Sequence, residues 1–268
     1  MYDSISKDYD RFVNWEGRLR VEIPFIETSL RKINPGQIKT PRVLDAGCGT
    51  GMHAIALAQS GFEMAGADIS AAMINRAEAN SQKAGVKVTF KTAGFGELKN
   101  AFDIQSEAEA FDALLCLGNS LPHLTTPALQ REALNDMAAC LRPGGLLLIQ
   151  NRNFDAVLTQ HARWMEPQSD RSPENDLLFL RFYDFNADGL ITFNMVTLSR
   201  SRGADWTQKV DVSRLYPITQ DNLIQLLDKS GFEDVKSYGN LAGDDFDLQK
   251  SGNLVVSARR KTNPNINH

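Results

Sequence analysis

An apolar strand that runs straight into a glycine turn, Val43-Leu44-Asp45-Ala46-Gly47-Cys48-Gly49-Thr50-Gly51, constrains this chain more than any other stretch. Glycines admit positive φ and let a ligand approach the backbone, while the free N–H groups where a helix opens attract polar or anionic atoms. Gly47, Gly49 and Gly51 therefore read as a cradle for a nucleotide-like ligand. Seventeen residues after Gly51 stands Asp68, followed by Ile69, at the close of the next apolar run EMAGADI. A carboxylate at that place accepts hydrogen bonds from both hydroxyls of a ribose. A purely structural glycine turn needs no such acid in register with strand, turn, helix and second strand.

Two ligand classes suit a cradle of this kind. Nicotinamide dinucleotides prefer GxGxxG, because a pyrophosphate must rest on the helix N-terminus. Here the third glycine comes one residue early and an acid, Asp45, precedes the turn. A carboxylate there repels a pyrophosphate but suits a cation such as the ammonium end of an amino acid. S-adenosyl-L-methionine offers ribose, adenine and an ammonium without any phosphate. A nicotinamide-dependent oxidoreductase, supported by the glycine turn and Asp68, and a non-catalytic cofactor-binding protein stay as the alternatives from another class.

Punctuation divides the 268 residues into blocks. Residues 1–40 carry a helical rhythm through Leu19, Ile23, Ile26 and Leu30 up to the stop Asn34-Pro35-Gly36, and read as an N-terminal helical arm. From 41 to 150 short apolar runs alternate with helical patterns, which implies a mostly parallel sheet with helices on both faces. Residues 151–215 change character: LLFLRFYDF, LITFNMVTLSR and TQKVDVSRLY read as strands joined by hairpin turns at 186–189 and 202–205, an antiparallel insertion on the substrate side. Over 216–260 the core pattern returns, ending in strand NLVVSARR. The tail 261–268 reads as disordered.

Composition narrows the partners. With 33 acidic against 29 basic side chains the formal net charge is -4, which argues against a nucleic acid held by bulk charge. No 18-residue apolar run and no secretory leader pattern occur, so neither a membrane nor export is expected and a cytoplasmic location is the default. Cys48, Cys116 and Cys140 are scattered without CxxC or paired histidines, so no disulfide framework and no metal site is expected. A homo-oligomer is left open.

The loop DAGCGTG, the acid in AGADIS, the strand FDALLCLG, the turn Leu141-Arg142-Pro143-Gly144-Gly145 before LLLIQ, and the late Gly231-Phe232 with a closing strand pair occur in the order of a class I S-adenosylmethionine-dependent methyltransferase. The chain resembles that family over nearly its whole length. The segments Leu117-Gly118-Asn119-Ser120-Leu121-Pro122-His123-Leu124 and Asn151-Arg152-Asn153-Phe154-Asp155 are similar to those of glycine N-methyltransferases and bacterial glycine/sarcosine N-methyltransferases, as is the aromatic arm with Tyr2, Tyr9, Trp15, Arg18 and Arg20. The resemblance implies a Rossmann-like seven-stranded sheet, S-adenosyl-L-methionine as cofactor, and methyl transfer to a small amine such as glycine or sarcosine. It also implies that Ala46, Asp68, Leu117, Ser120, His123 and Arg20 line the cofactor cleft while Asn119 and Arg152 face the substrate. Another small-molecule N- or O-methyltransferase of the same fold is the nearest alternative.

Departures from the pattern are specific. Many such enzymes carry an acid after the third strand for the adenine amino group; this chain reads Ala93-Gly94-Phe95-Gly96, which offers backbone N–H groups and a ring. Phe154 stands where a tyrosine is usual, and a tyrosine pair near the end of the insertion is reduced to Tyr216. Methyl transfer from a sulfonium chiefly requires alignment in a dry site. An amine bearing a carboxylate also needs a fixed cation, a role for Arg152 with its planar fork. Asn119 could accept from the incoming amine through its side-chain carbonyl, and His123 could take a proton or bond the cofactor's carboxylate. Tyr183 and Tyr216 are the ring hydroxyls placed to reach a substrate.

Overall fold

The computed structural model describes residues 10–11, 13–33 and 40–262. Tyr2, Tyr9, the stop at 34–36 and residues 263–268 of the expected tail lie outside the described residues. The arm forms helix α1 (Trp15–Arg31), started by Asn14, whose side chain accepts from Gly17 N at 3.0 Å. The core then alternates as expected: β1 (Arg42–Ala46), α2 (Met52–Gln59), β2 (Glu63–Asp68), α3 (Ala71–Ala84), β3 (Val88–Thr92), α4 (Leu98–Ala101), β4 (Phe111–Cys116), α5 (Pro127–Cys140) and β5 (Leu141–Arg152). Helix α6 (Phe154–Gln160) precedes strands β6 (Gln168–Arg171), β7 (Asn175–Phe185), β8 (Ile191–Ser201) and β9 (Thr207–Leu215). The chain closes with α7 (Gln220–Lys229), β10 (Phe232–Tyr238) and β11 (Asn253–Arg260).

Seven strands form one sheet in the order β10-β11-β5-β4-β1-β2-β3. Neighbours from β5 to β3 pair in parallel, and β11 pairs antiparallel with both β5 and β10. Central strands are largely apolar because helices cover both faces; all six residues of β4 are buried, Asp112 among them. One layer packs Leu44, Leu114, Ile149 and Phe232 beneath α5 and α7, and the other packs Val43, Leu115 and Leu148 beneath α2 and the arm's Ile26 and Leu30. Strand order reverses between β1 and β4, so a crevice opens at their carboxyl ends, where open α/β sheets bind ligands.

The insertion is a separate antiparallel sheet in the order β6-β7-β8-β9. The β7–β8 hairpin turns where expected: Gly189 takes φ 79° and the Asn186 side chain donates to Leu190 O at 3.0 Å. Phe179 and Tyr183 point into the molecule, at 1% and 2% exposure, whereas Phe185 faces out. Three features differ from the sequence reading. The polar segment QSDR forms a fourth strand purely through edge pairing with β7. Residues 154–160 are helical, capped by Asn153, whose side-chain oxygen accepts from Ala156 N at 3.2 Å. Strand β5 already begins at Leu141 and absorbs Pro143–Gly145, at the cost of a register shift between Phe111 and Ala113 on β4. The start of the tail is also tied down, since Lys261 N donates to Gly231 O at 2.9 Å and its ammonium pairs with Asp228.

Candidate active site

The glycine turn is stitched to the end of β2, because Gly47 N and Cys48 N both donate to Ala67 O, at 2.8 and 2.9 Å. Packing fixes two of its glycines. A Cβ on Gly51, at φ 79°, would stand 2.8 Å from the Phe90 ring and 2.9 Å from Ala77, and one on Gly47, at φ 76°, would meet the Ser120 hydroxyl at 2.9 Å. Asp68 is aimed by its own surroundings. Its Oδ2 accepts from Gly49 N and its Oδ1 from Ser70 N, each at 2.9 Å, which locks the carboxylate over the turn with lone pairs to spare.

Around this turn lies a cleft of about 530 Å³, a size that suits a nucleoside-type cofactor. Of the residues expected from sequence, Asp45, Gly47, Gly49, Asp68, Ile69, Gly94, Phe95, Leu117, Ser120 and His123 line it. Ala46 and Gly51 do not; the first is sealed in β1 and the second is packed at the start of α2. Ile69, 76% exposed, stands at the mouth. Acids absent from the turn after β3 arrive from elsewhere: Glu97 and Glu132 both line the cleft, and Glu97 Oε2 accepts from Gly94 N at 3.2 Å.

The arm supplies one wall, with a correction to the sequence reading. Arg20 is exposed on the outer face of α1, and Arg18 lines the cleft instead, beside Trp15. The Arg18 guanidinium lies 5.2 Å from the Trp15 ring centre, donates to both Glu22 oxygens at 3.0 Å and reaches Gln150 Oε1 at 3.1 Å. Glu22 in turn sits 2.6 Å from His53 Nε2, a cleft residue on α2. Burial raises the Glu22 carboxyl, but its bonds to His53 and Arg18 prevail and hold it below the usual value. Asp10 fastens the approach to α1: it accepts from Thr50 Oγ1 at 2.6 Å and from the Trp15 indole at 3.1 Å, while Arg11 pairs with Asp170 of β6.

At the back of the cleft Asp45 is 2% exposed, and its Oδ2 finds no hydrogen-bond partner among the described residues. Its pKa is raised to about 6, chiefly by burial and in smaller part by Asp68, against the pull of His53 and Arg18. A buried carboxyl with one unpartnered oxygen at this place fits an ammonium group. Burial pushes His123 the other way, down to about 4, so its imidazole is neutral at neutral pH, with one ring nitrogen a donor and the other an acceptor. Burial also pushes the thiol of Cys116 up to about 12 and raises that of Cys48, so neither is a thiolate nucleophile.

A second cluster lies where β4 and β5 end. Asn119 takes φ 70°, its N–H donates to Gln150 O at 3.0 Å, and its side-chain oxygen accepts from Arg152 N at 2.9 Å. That oxygen therefore joins the two strand ends and retains one lone pair. Arg152 forms no ion pair with an acid among the described residues, and its Nε is buried without a partner. Burial raises the pKa of the nearby Tyr183 hydroxyl, against the opposing pull of the Arg152 and Arg181 charges. The Tyr183 ring packs 6.2 Å from that of Phe154, so β7 brings to Arg152 the hydroxyl that Phe154 lacks. Tyr216 donates its N–H to Pro122 O at 2.8 Å and, partly buried, packs against the core. No helix among the described residues is long and apolar enough to cross a membrane, and no trio of metal-binding side chains is found among them.

Residues 43–145 match the family described as "Methyltransferase domain". Along most of its length the chain is similar to the glycine/sarcosine N-methyltransferase of Halorhodospira halochloris, 28% identical over 246 residues that cover 89% of this chain and 81% of that one. The chain is an S-adenosylmethionine-dependent methyltransferase. A shorter stretch of 127 residues is 36% identical to the glycine N-methyltransferase of Rattus norvegicus, covering 44% of this methyltransferase and 42% of the rat protein. The fold agrees with a solved S-adenosylmethionine-dependent methyltransferase from Clostridium acetobutylicum ATCC 824, at a TM-score of 0.76 and 13% identity over 97% of this chain and 99% of that one. The methyltransferase thus takes S-adenosyl-L-methionine on a class I scaffold, and the unpaired Asp45 carboxyl and the fixed Asp68 are consistent with that cofactor's ammonium and ribose.

Proposed function

We propose that this methyltransferase transfers a methyl group to the amine of a small carboxylate-bearing molecule, glycine or sarcosine. The observation that carries the reading is Arg152: a guanidinium at the carboxyl end of β5, its Nε buried, with no acid paired to it among the described residues. A half-buried guanidinium without a counter-charge is suited to a carboxylate, which its planar fork takes in a bidentate pair. The names of the curated relatives, glycine/sarcosine N-methyltransferase among them, support the same acceptor.

In this reading Asp68 takes the ribose hydroxyls, Asp45 the ammonium and Arg18 the carboxylate of the cofactor, with adenine between Ile69 and Phe95 and within reach of Glu97 and Glu132. The bound cofactor supplies an electrophilic methyl on a positively charged sulfur. The chain's part is to align the acceptor and exclude water: Arg152 fixes its carboxylate, and Asn119 holds the strand end that carries Arg152. Neutral His123 serves as a hydrogen-bonding wall, and the amine gives its proton to bulk water before it enters the site.

Incubation of the protein with methyl-labelled cofactor and glycine, sarcosine or dimethylglycine tests the acceptor. Labelled product from glycine or sarcosine is expected; its absence with every small amino acid overturns the reading. On the donor side, Asp68→Ala should weaken binding of S-adenosylhomocysteine by about tenfold or more in calorimetry, through loss of two charge-assisted hydrogen bonds. Unchanged affinity would remove Asp68 from the ribose site.

A further inference from the structure

Cofactor wall and acceptor anchor come from different parts of the chain, yet one side chain touches the supports of both. Gln150, 6% exposed near the end of β5, accepts two hydrogen bonds on a single oxygen: from Arg18 Nη2 at 3.1 Å and from Gly118 N at 3.1 Å. Its own carbonyl accepts from Asn119 N at 3.0 Å, and the Asn119 side chain then holds Arg152 N at 2.9 Å. From the cofactor wall to the acceptor anchor the links are thus Arg18, Gln150, the 118–119 turn and Arg152. Both residues of that turn sit at positive φ, 75° for Gly118 and 70° for Asn119, a conformation that glycine and asparagine adopt readily and that the bonds from Gln150 fix in place.

We infer that Gln150 is a positioning residue through which occupancy of the cofactor's amino-acid end and occupancy of the acceptor anchor strengthen one another. The physical basis is shared ordering. A carboxylate drawn to Arg18 fixes that guanidinium against Gln150 Oε1, and a fixed Gln150 side chain holds Gly118 and Asn119, and through Asn119 the strand end at Arg152. Whichever ligand binds first bears the cost of ordering the set, so the second binds more tightly, and the coupling is reciprocal. Gln150 touches neither reacting atom; its amide oxygen is the common acceptor that an apolar isostere lacks.

The inference rests on the placement of Arg18 and Arg152 proposed above, so the test separates the two. Affinity of S-adenosylhomocysteine is measured by calorimetry with and without saturating sarcosine, in wild type, Gln150→Leu and Gln150→Glu, with melting temperature recorded for each. In wild type sarcosine should tighten the cofactor product by about fivefold or more, the lower end of ordinary site-to-site coupling. In Gln150→Leu that ratio should fall to about one, and in Gln150→Glu, whose carboxylate keeps both acceptor bonds, it should persist. A purely structural role would lower the melting temperature of Gln150→Leu and leave the ratio unchanged, which overturns the coupling. Absence of any sarcosine binding to wild type overturns the acceptor reading and the coupling with it.

Discussion

Asp45→Asn should make the ligand-free protein more stable while making the cofactor bind more weakly. The Asp45 carboxyl titrates near pH 6 in the fold against an ordinary value of 3.8, mainly because it is buried. The folded state therefore keeps its proton longer than the unfolded chain does. Stability from this group is intact below about pH 4, is lost as pH rises to about 6, and stays lost above, for a total of about 3 kcal/mol. Asparagine never ionises and escapes that loss. At pH 7 the variant should gain about 1 to 3 kcal/mol, the lower figure allowing for burial of an amide. His123 works in the opposite sense across an overlapping window, because its depressed pKa removes stability as pH falls from about 6.5 towards 4. The informative quantity is therefore the difference between variant and wild type, which should grow from pH 4 to pH 7 in thermal melts. Binding of S-adenosylhomocysteine should weaken by about thirtyfold in the variant, and the wild-type loss of affinity below about pH 6 should disappear. A variant that melts at the wild-type temperature at pH 7 and binds normally would show that Asp45 serves packing alone.

Arg152→Ala should lower kcat/KM for the acceptor by about a hundredfold or more, with cofactor affinity in the absence of acceptor changed far less. Loss of a bidentate charge-assisted pair in a dry site is worth about 3 kcal/mol. Arg152→Lys keeps the charge but not the fork and should fall between the two. Tyr183→Phe leaves the ring that packs on Phe154 and removes the hydroxyl next to the Arg152 charge, so its effect should appear as a raised KM for the acceptor with wild-type stability. Equal kcat/KM in wild type and Arg152→Ala, for every amine that the enzyme methylates, would place the acceptor's anchor elsewhere.

Much of the architecture is legible in the chain because it rests on local rules. Apolar runs buried on both faces, glycine at Gly51 against Phe90, and caps such as Ser70 and Thr126 each announce their element. The arm shows where reading by motif fails and periodicity would have succeeded. Arginines at 18 and 20 look interchangeable, yet Ile26 and Leu30 are buried, and stepping back by four from them gives Glu22 and Arg18 on the same face. That step singles out Arg18 and turns Arg20 to solvent. Strand β6 carries no apolar alternation at all; QSDR becomes a strand only because β7 offers it an edge. Glu132 and Gln150 were illegible for a different reason, since their contribution depends on tertiary neighbours far away in sequence, and nothing beside them signals it.

The division of labour between the two sheets has a consequence for how such an enzyme changes its clientele. In the proposed reading the sugar and amino-acid ends of the methyl donor lie against the turns of the large sheet and α1, whereas Tyr183, beside Arg152, comes from β7. On that reading, substitutions along the inner face of β7 alter the acceptor's surroundings and leave the donor's untouched.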